Sequence, residues 1–101
     1  MNLRDVLVEA AAPLGVEAIA GPDGAWHWAV AGADFATMDA AGEVATFRLD
    51  PVLASAARRT PDVTGSPRGP EWVEFRPTVV DEHAGDRAAA WFAAAARRAT
   101  G

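Results

Sequence analysis

Between Asp34 and Pro51 two short alternating runs flank a turn, and a helix start follows at once. Phe35 to Met38 reads as one strand, Asp39-Ala40-Ala41-Gly42 as the turn, and Glu43 to Leu49 as the returning strand. Asp39 suits the first turn position because its carboxylate can accept from backbone N–H groups ahead of it. Gly42 can take the positive φ that closes a hairpin. Asp50-Pro51 then pairs a favourable N-cap with the residue best tolerated at the first helical position, and Val52, Leu53, Ala56 and Ala57 give a narrow apolar stripe that ends near Arg58-Arg59. This hairpin sets how the rest of the chain is built. By itself it says nothing of function.

Ahead of it, Leu3, Val6, Leu7, Ala10 and Leu14 recur at helical spacing, with Asn2 as N-cap, Asp5 completing a capping box and Pro13 as the stop. Gly15 to Gly24 is a connector closed by Gly21-Pro22-Asp23-Gly24, from which Val16 and Ile19 are expected to reach the core. Ala25 to Ala31 alternates Trp26, Trp28 and Val30 against Ala25, His27 and Ala29, the period of a strand, and Gly32-Ala33 turns it into the hairpin. Thr60 to Pro70 holds three prolines and two glycines, which predicts an irregular and mobile segment. Glu71 to Arg76 resumes alternation as a fourth strand, and Asp81 to Ala99 forms the longest helix, starting at Asp81 or at Asp86.

The expected fold is therefore α+β: an antiparallel sheet of about four strands with helices packed on one face, in the order α-β-β-β-α-β-α. The short connections make the first three strands antiparallel, while the fourth could join either way. Leu7, Trp28, Phe47, Val73, Phe75 and Trp91 are the expected core.

At 101 residues, half of them hydrophobic, there is material for one compact domain, residues 1–101. The formal charge of -5, with Arg supplying all nine basic residues, makes the average field unfavourable to phosphate backbones and anionic membranes. About a quarter of the chain is Ala, a composition expected of a bacterial high-GC genome. Without Cys there is no disulfide framework and no thiolate nucleophile. The early charges at Arg4, Asp5 and Glu9 fit neither a signal peptide nor a membrane span, so a cytoplasmic monomer is expected.

Several strings resemble a known family. Val30-Ala31-Gly32-Ala33-Asp34-Phe35-Ala36-Thr37-Met38, then Gly42 to Leu49, then Gly69-Pro70-Glu71-Trp72-Val73-Glu74-Phe75, and a closing helix with Trp91 and Ala95 follow the order seen in MmcQ/YjbR-like domains. Pro13-Leu14-Gly15-Val16-Glu17 is similar to the Pro-Gly-Val-Glu that follows their first helix. The related TfoX N-terminal domain, and small actinobacterial domains labelled luciferase-family without luciferase chemistry, carry similar strings. The resemblance implies a double-wing architecture likened to a DNA-binding fold, and brings no agreed catalytic residues with it. It also has a departure: many members place Lys just before Phe-Ala, where this chain has Asp34.

No catalytic constellation stands out. His27 and His83 lie far apart in sequence, and a metal pair would need carboxylates such as Asp34, Glu74 or Asp86, which no spacing indicates. Ser55 and Ser66 lie outside any Gly-x-Ser-x-Gly elbow, and Gly65 to Gly69 lacks the Lys and following helix of a phosphate-binding loop. No catalytic residue, metal or cofactor is expected.

The alternation does single out one surface. Phe47 and Leu49 put Arg48 on the opposite face of its strand, just as Val73 and Phe75 do for Trp72, Glu74 and Arg76. With Arg68 in reach from the neighbouring loop, Arg48, Trp72, Glu74, Arg76 and Arg68 form the expected binding site, with Glu74 pairing Arg48 or Arg76. The expected function is a small non-enzymatic binding or interaction module for a protein or small molecule, with a regulatory role as what the double-wing resemblance implies. The alternatives are a ligand-binding or enzymatic cleft between the sheet and the 60–70 loop, and a DNA-binding double-wing domain.

Overall fold

The structure is a computed structural model that describes residues 2–101. Helix α1 (Leu3–Ala11) begins where Asn2 accepts from the Asp5 amide, and gives way to a single 3-10 turn over Ala12–Leu14 that contains Pro13. Then come β1 (Ile19–Ala20), β2 (Trp26–Val30), β3 (Ala33–Met38), β4 (Ala45–Arg48), α2 (Pro51–Ala57), β5 (Val63–Ser66), β6 (Gly69–Phe75) and α3 (Glu82–Thr100). The strands make one antiparallel sheet in the order β1-β2-β3-β4-β6-β5. Among the described residues no helix is long and apolar enough to cross a membrane.

The fold is α+β as expected, but with six strands instead of four, so the order becomes α-β-β-β-β-α-β-β-α. Of the two added strands, β1 is only two residues long, too short for alternation to register, and it is held by pairing Ile19 with His27 and Ala20 with Trp26. The other, β5, lies inside the stretch expected to be irregular. Its prolines flank the strand without entering it: Pro61 precedes it, and Pro67 sits with Arg68 in the two-residue link to β6. The fourth expected strand is thus β6, antiparallel to both β4 and β5.

Local chemistry explains the hairpins and helix starts. Asp39 Oδ1 accepts from the Glu43 and Val44 amides, and Gly42 at φ +74° lets the chain return. The β2–β3 link is Ala31-Gly32, both at positive φ, one residue earlier than the expected Gly32-Ala33; a two-residue turn of this hand matches the twist of the strands. Asp50 caps α2 through the Val52 and Leu53 amides, and Asp81 caps α3 through the Ala84 amide, which fixes the start of α3 at Glu82.

Register assigns each sheet face. One rung across all six strands reads Ala20, Trp26, Met38, Ala45, Phe75 and Val63, and beside it on the same face runs Trp28, Ala36, Phe47 and Val73. These residues meet the helices. Phe92 of α3 packs edge-on against Trp28 and Phe35 at 5.4 and 5.2 Å between ring centroids, and Trp91 does the same to Phe75 at 5.2 Å. All six expected core residues are buried. Ile19 is not: its side chain is 49% exposed, because pairing with His27 turns it to the other face.

Candidate functional site

The rung between the two apolar ones reads Ile19, His27, Thr37, Thr46, Glu74 and Thr64, and points away from the helices. Over its middle lies an open hollow of about 500 Å³ with no helical residue in its lining. Thr37 and Thr46 hydroxyls, hydrogen-bonded to one another, form its floor. One wall is His27, Asp34 and the Gly21-Pro22-Asp23 turn, and the other is Glu74, Arg76 and Arg68. Ionisable groups of both signs therefore face a common space.

His27 Nδ1 and Asp34 Oδ1 are 2.7 Å apart, each side chain about one third exposed. With Nδ1–H donating to the carboxylate the ring is oriented, and Nε2 is left without a partner among the described residues. Asp34 opposes Ala29, and His27, two residues along β2, lies on the same face, so the carboxylate reaches the imidazole diagonally. Beyond that pair the register slips between Trp28 and Ala29, leaving Phe35 as the extra residue of a bulge on β3, so that Thr37 and not Ala36 comes opposite His27. Sequence reasoning missed this pair, weighing His27 and Asp34 together only as parts of a metal site that no spacing indicates. Counting residues from the Ala31-Gly32 turn puts Asp34 opposite Ala29 but His27 opposite Ala36; the bulge that brings Thr37 there instead has no signature in the residues themselves.

The five expected site residues divide into two neighbouring groups. Arg48 and Trp72 are direct cross-strand partners, and the Arg68 guanidinium lies over the Trp72 ring at 4.6 Å from its centroid. Trp72 is half-buried on the outward face, with Arg48, Arg68 and Pro70 around a second hollow of about 390 Å³. Glu74 and Arg76 belong to the larger hollow, and Arg68 lines both. Glu74 pairs with neither Arg48 nor Arg76. Instead Arg48 Nε donates to Glu71 Oε2 at 3.2 Å, and Arg98 Nη2 to Glu71 Oε1 at 2.7 Å. Hydrogen bonds from Arg98 and then Arg48 hold the Glu71 carboxyl below its ordinary range.

His83 is exposed in the first turn of α3 and does not line the hollow. Among the described residues no group of three or more His, Asp or Glu is placed to hold a metal.

What fold and site define is a small α+β protein with one sheet face under helices and the other carrying a polar hollow. No protein-family model matches the chain, and no curated protein matches it in sequence. Among solved structures it is similar to the crystal structure of a protein from Pseudomonas syringae determined as a Northeast Structural Genomics Consortium target. The two share 11% sequence identity and a TM-score of 0.72, over 98% of this chain and 99% of the other. At that identity the likeness is one of fold.

Proposed function

We propose that this chain is a small binding module that takes a polar small molecule in the hollow on the open face of its sheet. One observation carries the reading: an uncovered sheet face on which His27, Glu74, Arg68 and Arg76 converge on one concave space of about 500 Å³. That size is within the range of small-molecule sites, and a few polar groups around a shaped space are what fix a ligand's orientation. His27, Thr37, Thr46 and Glu74 belong to strands of the sheet, while the Gly21-Pro22-Asp23 turn, Arg68 and Arg76 stand outside the strands at the margins.

The arginines speak for a small ligand over a nucleic-acid stripe. Arg48 and Arg98 share Glu71, while Arg4, Arg58 and Arg87 donate to backbone carbonyls of Ala40, Pro70 and Pro61. A phosphate backbone would have to break these contacts to be neutralised by them. The resemblance to MmcQ/YjbR-like domains, with its double-wing expectation, belongs to the same proposal and adds no ligand to it.

The test is an NMR titration of the full ¹⁵N-labelled chain with small carboxylic acids, amides and amines. Shifts should cluster on Thr37, Thr46 and Glu74. Perturbations confined to the helical face, or none at all, would reject the hollow as a binding site.

A further inference from the structure

The polar side chains around the hollow separate into those already engaged and those left free. Asp39 Oδ1 is used by the Glu43 and Val44 amides, Asp23 Oδ1 by the Ala25 amide, and Asp34 Oδ1 by His27. The Glu74 carboxylate, the Arg76 guanidinium and His27 Nε2 have no hydrogen-bond or ion-pair partner among the described residues. Glu74 lies in β6 and Arg76 just past its end, two residues on, where alternation gives both the same face, yet the two side chains do not pair. An anionic and a cationic position thus stand side by side. Arg68, stacked on Trp72 at the same wall, adds guanidinium donors to the cationic side.

From this set we infer that the hollow takes a free amino acid with an extended side chain ending in an N–H donor. The carboxylate would be held by Arg76 and Arg68, the ammonium by Glu74, and the terminal donor by His27 Nε2. Adjacent opposite charges match a ligand whose own opposite charges sit on one carbon, and that feature marks a free amino acid apart from a residue inside a peptide. The span sets the side chain. His27 and Glu74 are separated by three strand spacings along the rung, roughly 14 Å between backbones, so a ligand anchored at Glu74 needs an extended side chain to reach the imidazole. Between them the Thr37 and Thr46 hydroxyls, which use one hydrogen in bonding each other, keep a second hydrogen to offer. Asp34 matters indirectly, by fixing which imidazole nitrogen faces the ligand.

This inference rests on the hollow being a ligand site, and the experiment separates the two. The full chain is titrated, by NMR and calorimetry, with L-glutamine, with L-norleucine, which lacks the terminal amide, and with 4-carbamoylbutanoate, which lacks the α-ammonium. Glutamine should shift Thr37, Thr46 and Glu74, and each analogue should bind roughly tenfold more weakly, the scale of one lost charged or polar contact. Glu74→Gln should erase the preference for glutamine over 4-carbamoylbutanoate and leave the preference over norleucine. His27→Ala should do the reverse. Equal binding of all three compounds, or glutamine shifts outside the hollow, would overturn the amino-acid inference. If other small polar molecules still shift the hollow residues, the binding-module reading survives that result; if nothing does, both fall.

Discussion

Arg98 Nη2 donates to Glu71 Oε1 at 2.7 Å, tying the last turns of α3 to the start of β6, while Arg48 reaches the other oxygen of the same carboxylate. The carboxyl is held below its ordinary value of 4.5 by these two partners. A depressed folded-state value means that the ionised carboxylate stabilises the fold above the unfolded value, and that this contribution is lost as pH falls through the folded value. Glu71→Gln should therefore lower the melting temperature at pH 7, and the gap from the parent chain should shrink as pH drops below 4.5. Thermal melts across a pH series measure it. A gap that stays constant down to pH 2 would show that ionisation of Glu71 is not its source.

Ala31 carries a positive φ of 54° at the first position of the β2–β3 turn, ahead of Gly32 at 81°. For an alanine this left-handed conformation costs about 1 kcal/mol through the crowding of Cβ against the backbone. Ala31→Asn creates the Asn-Gly pair that this turn geometry favours, and Ala31 is exposed, so no packing opposes the change. Chemical denaturation should show a gain of about 0.5–1 kcal/mol. A loss would mean that the turn does not hold this conformation in solution.

The β3–β4 hairpin and the start of α2 were legible because their determinants are local, Asp39 and Gly42 for the turn and Asp50 for the cap, whereas the start of α3 stayed open between Asp81 and Asp86 until the Asp81 cap decided it. The core was legible for the same reason, since alternation around Phe47 and Val73 is a two-residue rule that needs no partner strand. What escaped depends on pairing between distant segments. Ile19 and Ala20 become a strand only because β2 offers an edge, and Val63 to Ser66 only because β6 returns alongside. The Arg48–Trp72 contact was accessible, following from alternation once β4 and β6 are neighbours. The Glu71 cluster was not, because one of its arginines comes from the far end of α3.

Trp72 is neither a core residue nor a bare surface one. Its ring is half-buried, with Arg68 above it and Arg48 across the strand pair. Arg68→Ala removes an exposed cation–π contact and should cost under about 1 kcal/mol, whereas Trp72→Ala also removes ring contacts with the sheet and should cost about 1–2 kcal/mol. Both values come from urea denaturation. A loss above about 3 kcal/mol for Trp72→Ala is the range of a core truncation and would contradict its outward placement.

The Thr37–Thr46 hydrogen bond crosses from β3 to β4 at the floor of the hollow, and Thr46 is only 8% exposed. Thr→Val keeps the β-branched shape that a strand accepts, so the substitution isolates the hydroxyl. Thr46→Val alone strands the Thr37 hydroxyl beside a methyl group, and Thr37→Val does the same to the more deeply placed Thr46. Each single change should cost about 1–2 kcal/mol, the penalty for a polar group left without its partner. Replacing both removes donor and acceptor together, so the double variant should lose clearly less than the sum of the singles. Urea denaturation of the four chains gives the coupling directly. Strict additivity would mean that water satisfies each hydroxyl independently, and that the floor of the hollow is wet instead of closed by this pair.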